Sequence, residues 1–183
     1  MCRLSAITSS EYISPMENIL SLETMKEGHD GSGLGLMLKD LGGPFKDLKD
    51  FPILSTICSN KGVEDLTAFM RSRGFAEKFS WEPAIKNVPG VERRDHYLVK
   101  VYDYPAEYRD KPKSEKEDLL MNTRLAIRKM GEPDGSIFAF SFYPDVLTLK
   151  EVGDPLQLGE FFNLDKSDIK SKFVLAQGRQ NTN

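Results

Sequence analysis

MCRLSAIT, residues 1–8, places a cysteine directly after the initiator methionine and follows it with a run that favours a β-strand. The small second residue permits removal of the methionine, so we expect the mature chain to begin at Cys2 with a free α-amino group. An α-amine titrates near a pKa of about 8 and a thiol near about 8.5, so the amine can take the thiol proton at neutral pH. One residue then supplies both a nucleophile and its base. The alternative, an incidental cysteine in a frayed terminus, stays open from this stretch alone.

Size and composition limit the classes of function. The chain has 183 residues, 39% of them hydrophobic and 29% charged, with a net charge of -3. This length is enough for one domain with a hydrophobic core. The small negative net charge excludes the strongly basic surface that is typical of nucleic-acid-binding proteins. Neither a membrane-spanning apolar run nor a secretion signal is recognisable. We therefore expect a cytoplasmic protein without nucleic-acid or membrane partners.

Cysteine and histidine are scarce. Cys2 and Cys58 are too few for a disulfide framework, and neither His29 nor His96 stands near a cysteine at ligand spacing. We expect no metal site, and we interpret His29 as a turn residue that forms local hydrogen bonds and His96 as a strand residue whose side chain is solvated or satisfied.

Helical and strand periodicities are mixed along the chain. Predicted helices begin after Ser14-Pro15 and Asp154-Pro155, and the clearest one has a capping box at Ser114 and Glu117. Strands are predicted around 97–101 and at the two chain ends, with a hairpin turning at Pro144-Asp145, whereas 75–91 reads as irregular. This mixture, without internal repeats, predicts an α+β fold.

Two further motifs accompany Cys2. The glycine-rich turn EGHDGSGLGL spans residues 27–36, and the chain closes with GRQNTN at 178–183. Together with Cys2 they resemble the class II glutamine amidotransferases, which are N-terminal nucleophile hydrolases, and within them the amidotransferase portion of glutamate synthases. The positions that match the family motifs are Gly28, Asp30, Gly31, Ser32, Gly33, Arg179, Thr182 and Asn183. Three positions depart from the pattern: Glu27, Gln180 and Asn181.

The resemblance implies an N-terminal nucleophile hydrolase-like fold, in which antiparallel sheets stack and helices flank them. Residues 1–183 would be a single amidotransferase-like domain, with an insertion at about 44–135. In the family, an oxyanion-hole asparagine-glycine pair and an acidic residue that binds the substrate amine follow the arginine motif. The sequence ends at Asn183, so we expect either that it is the N-terminal portion of a longer domain, incomplete at its C-terminus, or that a second chain completes the pocket. The isolated chain would then have low activity.

The same resemblance implies the chemistry. Cys2 would attack the side-chain amide of glutamine, and Arg179 would bind the substrate α-carboxylate through a bidentate fork. Thr182 and Asn183 would complete the substrate site. The ammonia would pass to a glutamate-synthase-like subunit or domain that carries the flavin and iron-sulfur cofactors, with none in this chain. A homo-oligomer is left open.

Two other functions fit the same fold. One is an N-terminal nucleophile hydrolase that acts on a different acyl amide, although the Arg179 motif favours an amino-acid substrate. The other is a non-catalytic regulatory or scaffold subunit that binds its partner through the inserted region. Either would retain the sheets and lack glutaminase activity.

Overall fold

Two four-stranded antiparallel sheets and four helices make up the described part of the chain, which comprises residues 3–25 and 33–178 of the computed structural model. The α+β class predicted from the sequence is therefore confirmed. The chain divides into two compact units, each with one sheet: Met1–Asp47 with Pro83–Arg93 and Leu147–Asn183, and Leu48–Glu82 with Arg94–Val146. Membership of one amidotransferase-like domain stays a prediction. The second unit overlaps most of the 44–135 range suggested as an insertion and extends beyond it.

The first unit is built on the sheet β1-β8-β2-β7. Its strands and helices, in chain order, are β1 (Arg3–Ile13), α1 (Met16–Glu23), β2 (Leu34–Leu41), β7 (Val146–Glu151), α4 (Pro155–Phe161) and β8 (Ser171–Gly178). Strand β8 is antiparallel to both β1 and β2. The last strand in the chain therefore lies between the first two.

One face of this sheet is buried and the other is partly open. Leu36 and Leu38 of β2 and Val174 and Ala176 of β8 are at most 1% exposed and share the face on which the helices pack. On the opposite face, Leu4 of β1 is 61% exposed. The alternation of buried and exposed positions is that of a half-covered antiparallel sheet.

The second unit has the element order βαββαβ. Its elements are β3 (Pro52–Cys58), α2 (Asn60–Ser72), β4 (Ala76–Trp81), β5 (His96–Asp103), α3 (Lys113–Gly131) and β6 (Ile137–Pro144). Their sheet order is β4-β5-β3-β6, so the unit's second, third, first and fourth strands follow one another across the sheet. This is the split βαβ, ferredoxin-like arrangement. Both helices contribute to one buried cluster, to which Leu66, Met70, Leu120 and Ile127 belong.

Three local features of the structure differ from those predicted from the sequence. The hairpin predicted at Pro144-Asp145 is wrong, because β6 pairs with β3 whereas β7 lies beside β2 in the other sheet. The irregular stretch predicted at 75–91 contains β4, an edge strand. Helix α3 begins at Lys113 without a side-chain cap, so the Ser114 capping box is wrong. Glu117 instead accepts a hydrogen bond from the Tyr143 hydroxyl.

Two helical glycines allow the helices of the second unit to approach β6 closely. A Cβ atom at Gly62 would overlap the carbonyl oxygen of Ser136, and one at Gly131 would overlap that of Ile137. Both obstacles are backbone atoms, so they cannot move aside as a flexible side chain would. The absence of a side chain at these positions is therefore a packing requirement.

We expect Gly62→Ala to lower the free energy of unfolding by about 1–3 kcal/mol, since the overlap outweighs the gain in helix propensity of up to about 1 kcal/mol. Urea unfolding followed by the fluorescence of Trp81, the only tryptophan of the chain, measures the second unit directly. Gly35→Ala is the control, followed by circular dichroism, because a Cβ there meets nothing within 4 Å. An unchanged or higher stability of Gly62→Ala would contradict the proposed close packing.

Candidate functional site

Three strands of the first unit align their ends in one row. Arg3, the first residue of β1, lies opposite Gly178, the last residue of β8. Leu34, the first residue of β2, lies opposite the same Gly178 on its other side. Opposite Cα atoms of antiparallel strands are about 4.5–5.5 Å apart, so these three residues form a compact end of the sheet.

The site residues predicted from the sequence are outside the described residues, but they are close neighbours along the chain of the three residues in this row. This holds for Cys2, Arg179, Thr182 and Asn183, as it does for Gly28, Asp30, Gly31 and Ser32 of the glycine-rich turn. Cys2 is bonded to Arg3, Arg179 to Gly178, and the turn leads into Leu34. Neighbouring Cα atoms are only about 3.8 Å apart along the chain. The described strands thus bring the attachment points of all three motifs together, although they are far apart in sequence.

Gly33 is the residue of the glycine-rich turn that the structure describes. Its φ of 135° belongs to a backbone region that residues with a side chain rarely adopt. Its place directly before β2 makes glycine a conformational requirement at the entry to this strand.

A buried asparagine ties two of the three strands to a helix. Asn18 of α1 is 0% exposed. Its Nδ2 donates to the carbonyl oxygens of Ser5 in β1, at 3.0 Å, and Val174 in β8, at 2.8 Å. Its Oδ1 accepts the Ser5 hydroxyl at 2.6 Å. Every hydrogen-bonding group of this amide except one acceptor lone pair is satisfied, so Asn18 is a positioning residue for the strand that follows Cys2.

The sequence analysis did not identify Asn18. The available signal was a polar residue among helix positions that otherwise read as apolar, since Asn18, Ile19 and Leu22 are the buried residues of α1. An asparagine on the core face of a helix needs buried partners. Only the tertiary structure shows that these partners are strands at the two ends of the chain.

The described cysteine and histidine do not form a catalytic pair. Cys58 is 1% exposed, and burial raises the pKa of its thiol, which donates to Thr56 Oγ1 at 3.5 Å. His96 Nε2 lies 2.9 Å from Asn60 Oδ1, and its Nδ1 lies 3.7 Å from Glu82. The His96 ring therefore has partners on other segments of the chain. A raised pKa and burial leave Cys58 poorly suited to nucleophilic attack.

The described residues offer neither a metal-binding cluster nor a membrane-spanning helix. Across residues 3–25 and 33–178, no group of three or more His, Cys, Asp or Glu side chains is arranged to hold a metal ion. In the same ranges, none of the helices combines the length and the apolar character needed to cross a membrane.

Replacing Asn18 by alanine should destabilise the first unit by about 3 kcal/mol, because three hydrogen bonds of a fully buried side chain are lost, one of them to the buried carbonyl of Val174. The measurement is chemical unfolding followed by circular dichroism. Ser21→Ala is the matched control on the same helix, since the Ser21 hydroxyl bonds only the Glu17 carbonyl at an exposed position. Equal effects of the two substitutions would show that Asn18 does not anchor the strands.

Comparison with the models of known protein families finds no match to this chain, and comparison with curated proteins finds none either. The functional assignment therefore depends on the residues and on the geometry of the sheet.

Proposed function

We propose that this chain is the nucleophile-bearing part of a class II glutamine amidotransferase that releases ammonia from glutamine. The observation that carries the proposal is the row Arg3, Gly178 and Leu34. An N-terminal nucleophile needs a strand to hold it, and a substrate clamp must lie within one ligand length of that strand. Adjacent antiparallel strands that end together meet both needs.

The architecture of the first unit supports the same proposal. Its sheet is covered by helices on one face, whereas the other face carries Leu4, which is 61% exposed, and Met37 and Leu175, which are half-buried. When helices cover one face of a sheet and the other face is apolar and partly open, the open face is suited to packing against a second sheet. Stacked sheets flanked by helices are what the resemblance to N-terminal nucleophile hydrolases implies.

The chemistry follows from a free amino terminus at Cys2. The α-amine takes the thiol proton, and the sulfur attacks the side-chain carbonyl carbon of glutamine to give a tetrahedral oxyanion. The ammonium form of the terminus protonates the amide nitrogen as the oxyanion collapses, and the bond from carbon to nitrogen breaks so that the nitrogen leaves as ammonia. Water then attacks the glutamyl thioester, which releases glutamate and restores the thiol. Each step balances without a cofactor in this chain.

Arg179 is the proposed clamp for the substrate α-carboxylate, with Thr182 and Asn183 beside it in the same segment. A guanidinium binds a carboxylate through two parallel hydrogen bonds, which fixes its orientation as well as its charge. The ammonia acceptor is a glutamate-synthase-like subunit or domain, in which the flavin and iron-sulfur chemistry resides. A cytoplasmic location belongs to this proposal.

We expect a diazo-ketone analogue of glutamine to alkylate Cys2 in chains that have lost Met1. Intact mass and N-terminal peptide mapping, before and after treatment, measure both the processing and the labelled residue. Cys2→Ala should abolish labelling and glutamine-dependent ammonia release, whereas Cys58→Ala should preserve both, because Cys58 is buried at 1% exposure with a raised pKa. Processed protein that stays unlabelled at Cys2, or Cys2→Ala protein that still hydrolyses glutamine, would refute the proposal.

Arg179→Lys should slow labelling by the glutamine analogue about tenfold or more at subsaturating concentration, because lysine retains the charge but loses the bidentate fork. The rate should recover part of the loss at saturating analogue, since Cys2 itself is unchanged. Arg93→Lys is the control, because Arg93 is exposed in the same unit. A labelling rate of Arg179→Lys equal to that of the control would remove Arg179 from the substrate site.

A further inference from the structure

A second candidate site lies within the ferredoxin-like unit. A cavity of about 450 Å³ opens between the end of α2, the turn that follows it, and strands β4 and β5. Met70 and Phe75, which are 1% and 2% exposed, contribute apolar surface to it. Volumes of roughly 300–1,000 Å³ with apolar walls and a few polar groups are typical of small-molecule sites.

A tyrosine hydroxyl that has no hydrogen-bond partner among the described residues lines this cavity. Tyr102 is 2% exposed, and its ring packs edge-on against Phe75 and Phe142. No hydrogen bond to the Tyr102 hydroxyl is present within residues 3–25 and 33–178. The ring is buried but the oxygen is not enclosed by protein, so this hydroxyl faces the cavity and is available for a ligand. Burial also raises the pKa of Tyr102, which keeps the proton on the oxygen as a hydrogen-bond donor.

The charged groups at the cavity leave an excess of positive charge. Glu77 lines the cavity, but its Oε2 accepts a hydrogen bond from Lys100 Nζ at 2.7 Å, so the carboxylate is neutralised by a lysine whose side chain is only 10% exposed. Arg71 also lines the cavity and makes no ion pair with any described residue. The Arg71 guanidinium is therefore available to bind an anion.

We propose that this cavity binds a small organic carboxylate with an apolar body. The carboxylate pairs with Arg71, the Tyr102 hydroxyl donates to an oxygen of the ligand, and the apolar body covers Met70 and Phe75. The proposal does not depend on the glutaminase function, because no residue of the row at Arg3, Gly178 and Leu34 takes part in it.

Isothermal titration of the full chain with 3-phenylpropionate and 4-methyl-2-oxopentanoate tests the proposal, with 3-phenylpropanamide and phenethylamine as neutral and cationic counterparts. We expect saturable binding of the carboxylates and affinity at least about tenfold lower for the amide and the amine. Absence of saturable carboxylate binding up to 10 mM, or equal binding of the amide, would overturn the proposal.

Two substitutions locate the binding without disturbing the fold, because neither side chain has a hydrogen-bond or ion-pair partner within residues 3–25 and 33–178. Tyr102→Phe and Arg71→Gln should each weaken carboxylate binding about tenfold, and Arg71→Gln should also remove the preference over the amide. The matched controls are Tyr104→Phe and Arg73→Gln, two residues outside the cavity lining, of which Arg73 stacks over Phe69 at 5.3 Å. Carboxylate binding that is unchanged in both test variants, or equally weakened in the controls, would place the ligand elsewhere.

Discussion

The pairing of β8 with β1 and β2 is the constraint from which the candidate site follows. β8 is hydrogen-bonded on both sides, and its buried residues Val174 and Ala176 alternate with less buried ones. A slip of one residue would turn these side chains away from the helices, so the register is fixed by burial. A fixed register also fixes which residues end the strands, which is why Arg3, Gly178 and Leu34 share a row. The chemistry proposed for Cys2 and Arg179 depends on this row rather than on any single contact.

Asn18 adds a different kind of constraint to the same strands. Apolar packing sets the face that β1 and β8 present to α1, but it discriminates weakly between small displacements along the strands. An amide that donates to one carbonyl on each strand is directional, and a displaced strand would leave buried groups unpaired. The first unit thus combines a nonspecific apolar core with a specific polar connection at Ser5, close to the end where β1 begins. Precision at that end is what an N-terminal nucleophile requires.

Local patterns predicted the elements better than their arrangement. The alternation in His96–Asp103 and the Asp154-Pro155 signal identified β5 and α4, because burial and capping are encoded within a few residues. Strand β4 was missed because it is an edge strand whose residues are mostly exposed, and the false hairpin at Pro144-Asp145 arose because a turn signal does not specify which strands pair. The position of β8 between β1 and β2 could not be derived from periodicity, since it joins segments more than a hundred residues apart. The motif resemblance named Cys2 and Arg179, and the described strands pair their chain neighbours Arg3 and Gly178.

The long connection between β2 and β7 lowers the stability of the first unit only slightly. β2 and β7 are neighbours in the sheet, so the chain leaves and returns at adjacent strands, and the entropy of closing such an excursion grows only with the logarithm of its length. The βαββαβ unit within it pairs all of its strands among themselves and packs its own helices around its own core. Strand β2 therefore begins at the candidate site and ends where the path to the second unit begins. Continuity of one strand does not by itself couple a ligand in the second unit to glutamine hydrolysis, because β2 is held in a single register by β8. Such coupling requires a ligand that distinguishes two states of the chain, and its magnitude would be the same in whichever direction it is measured.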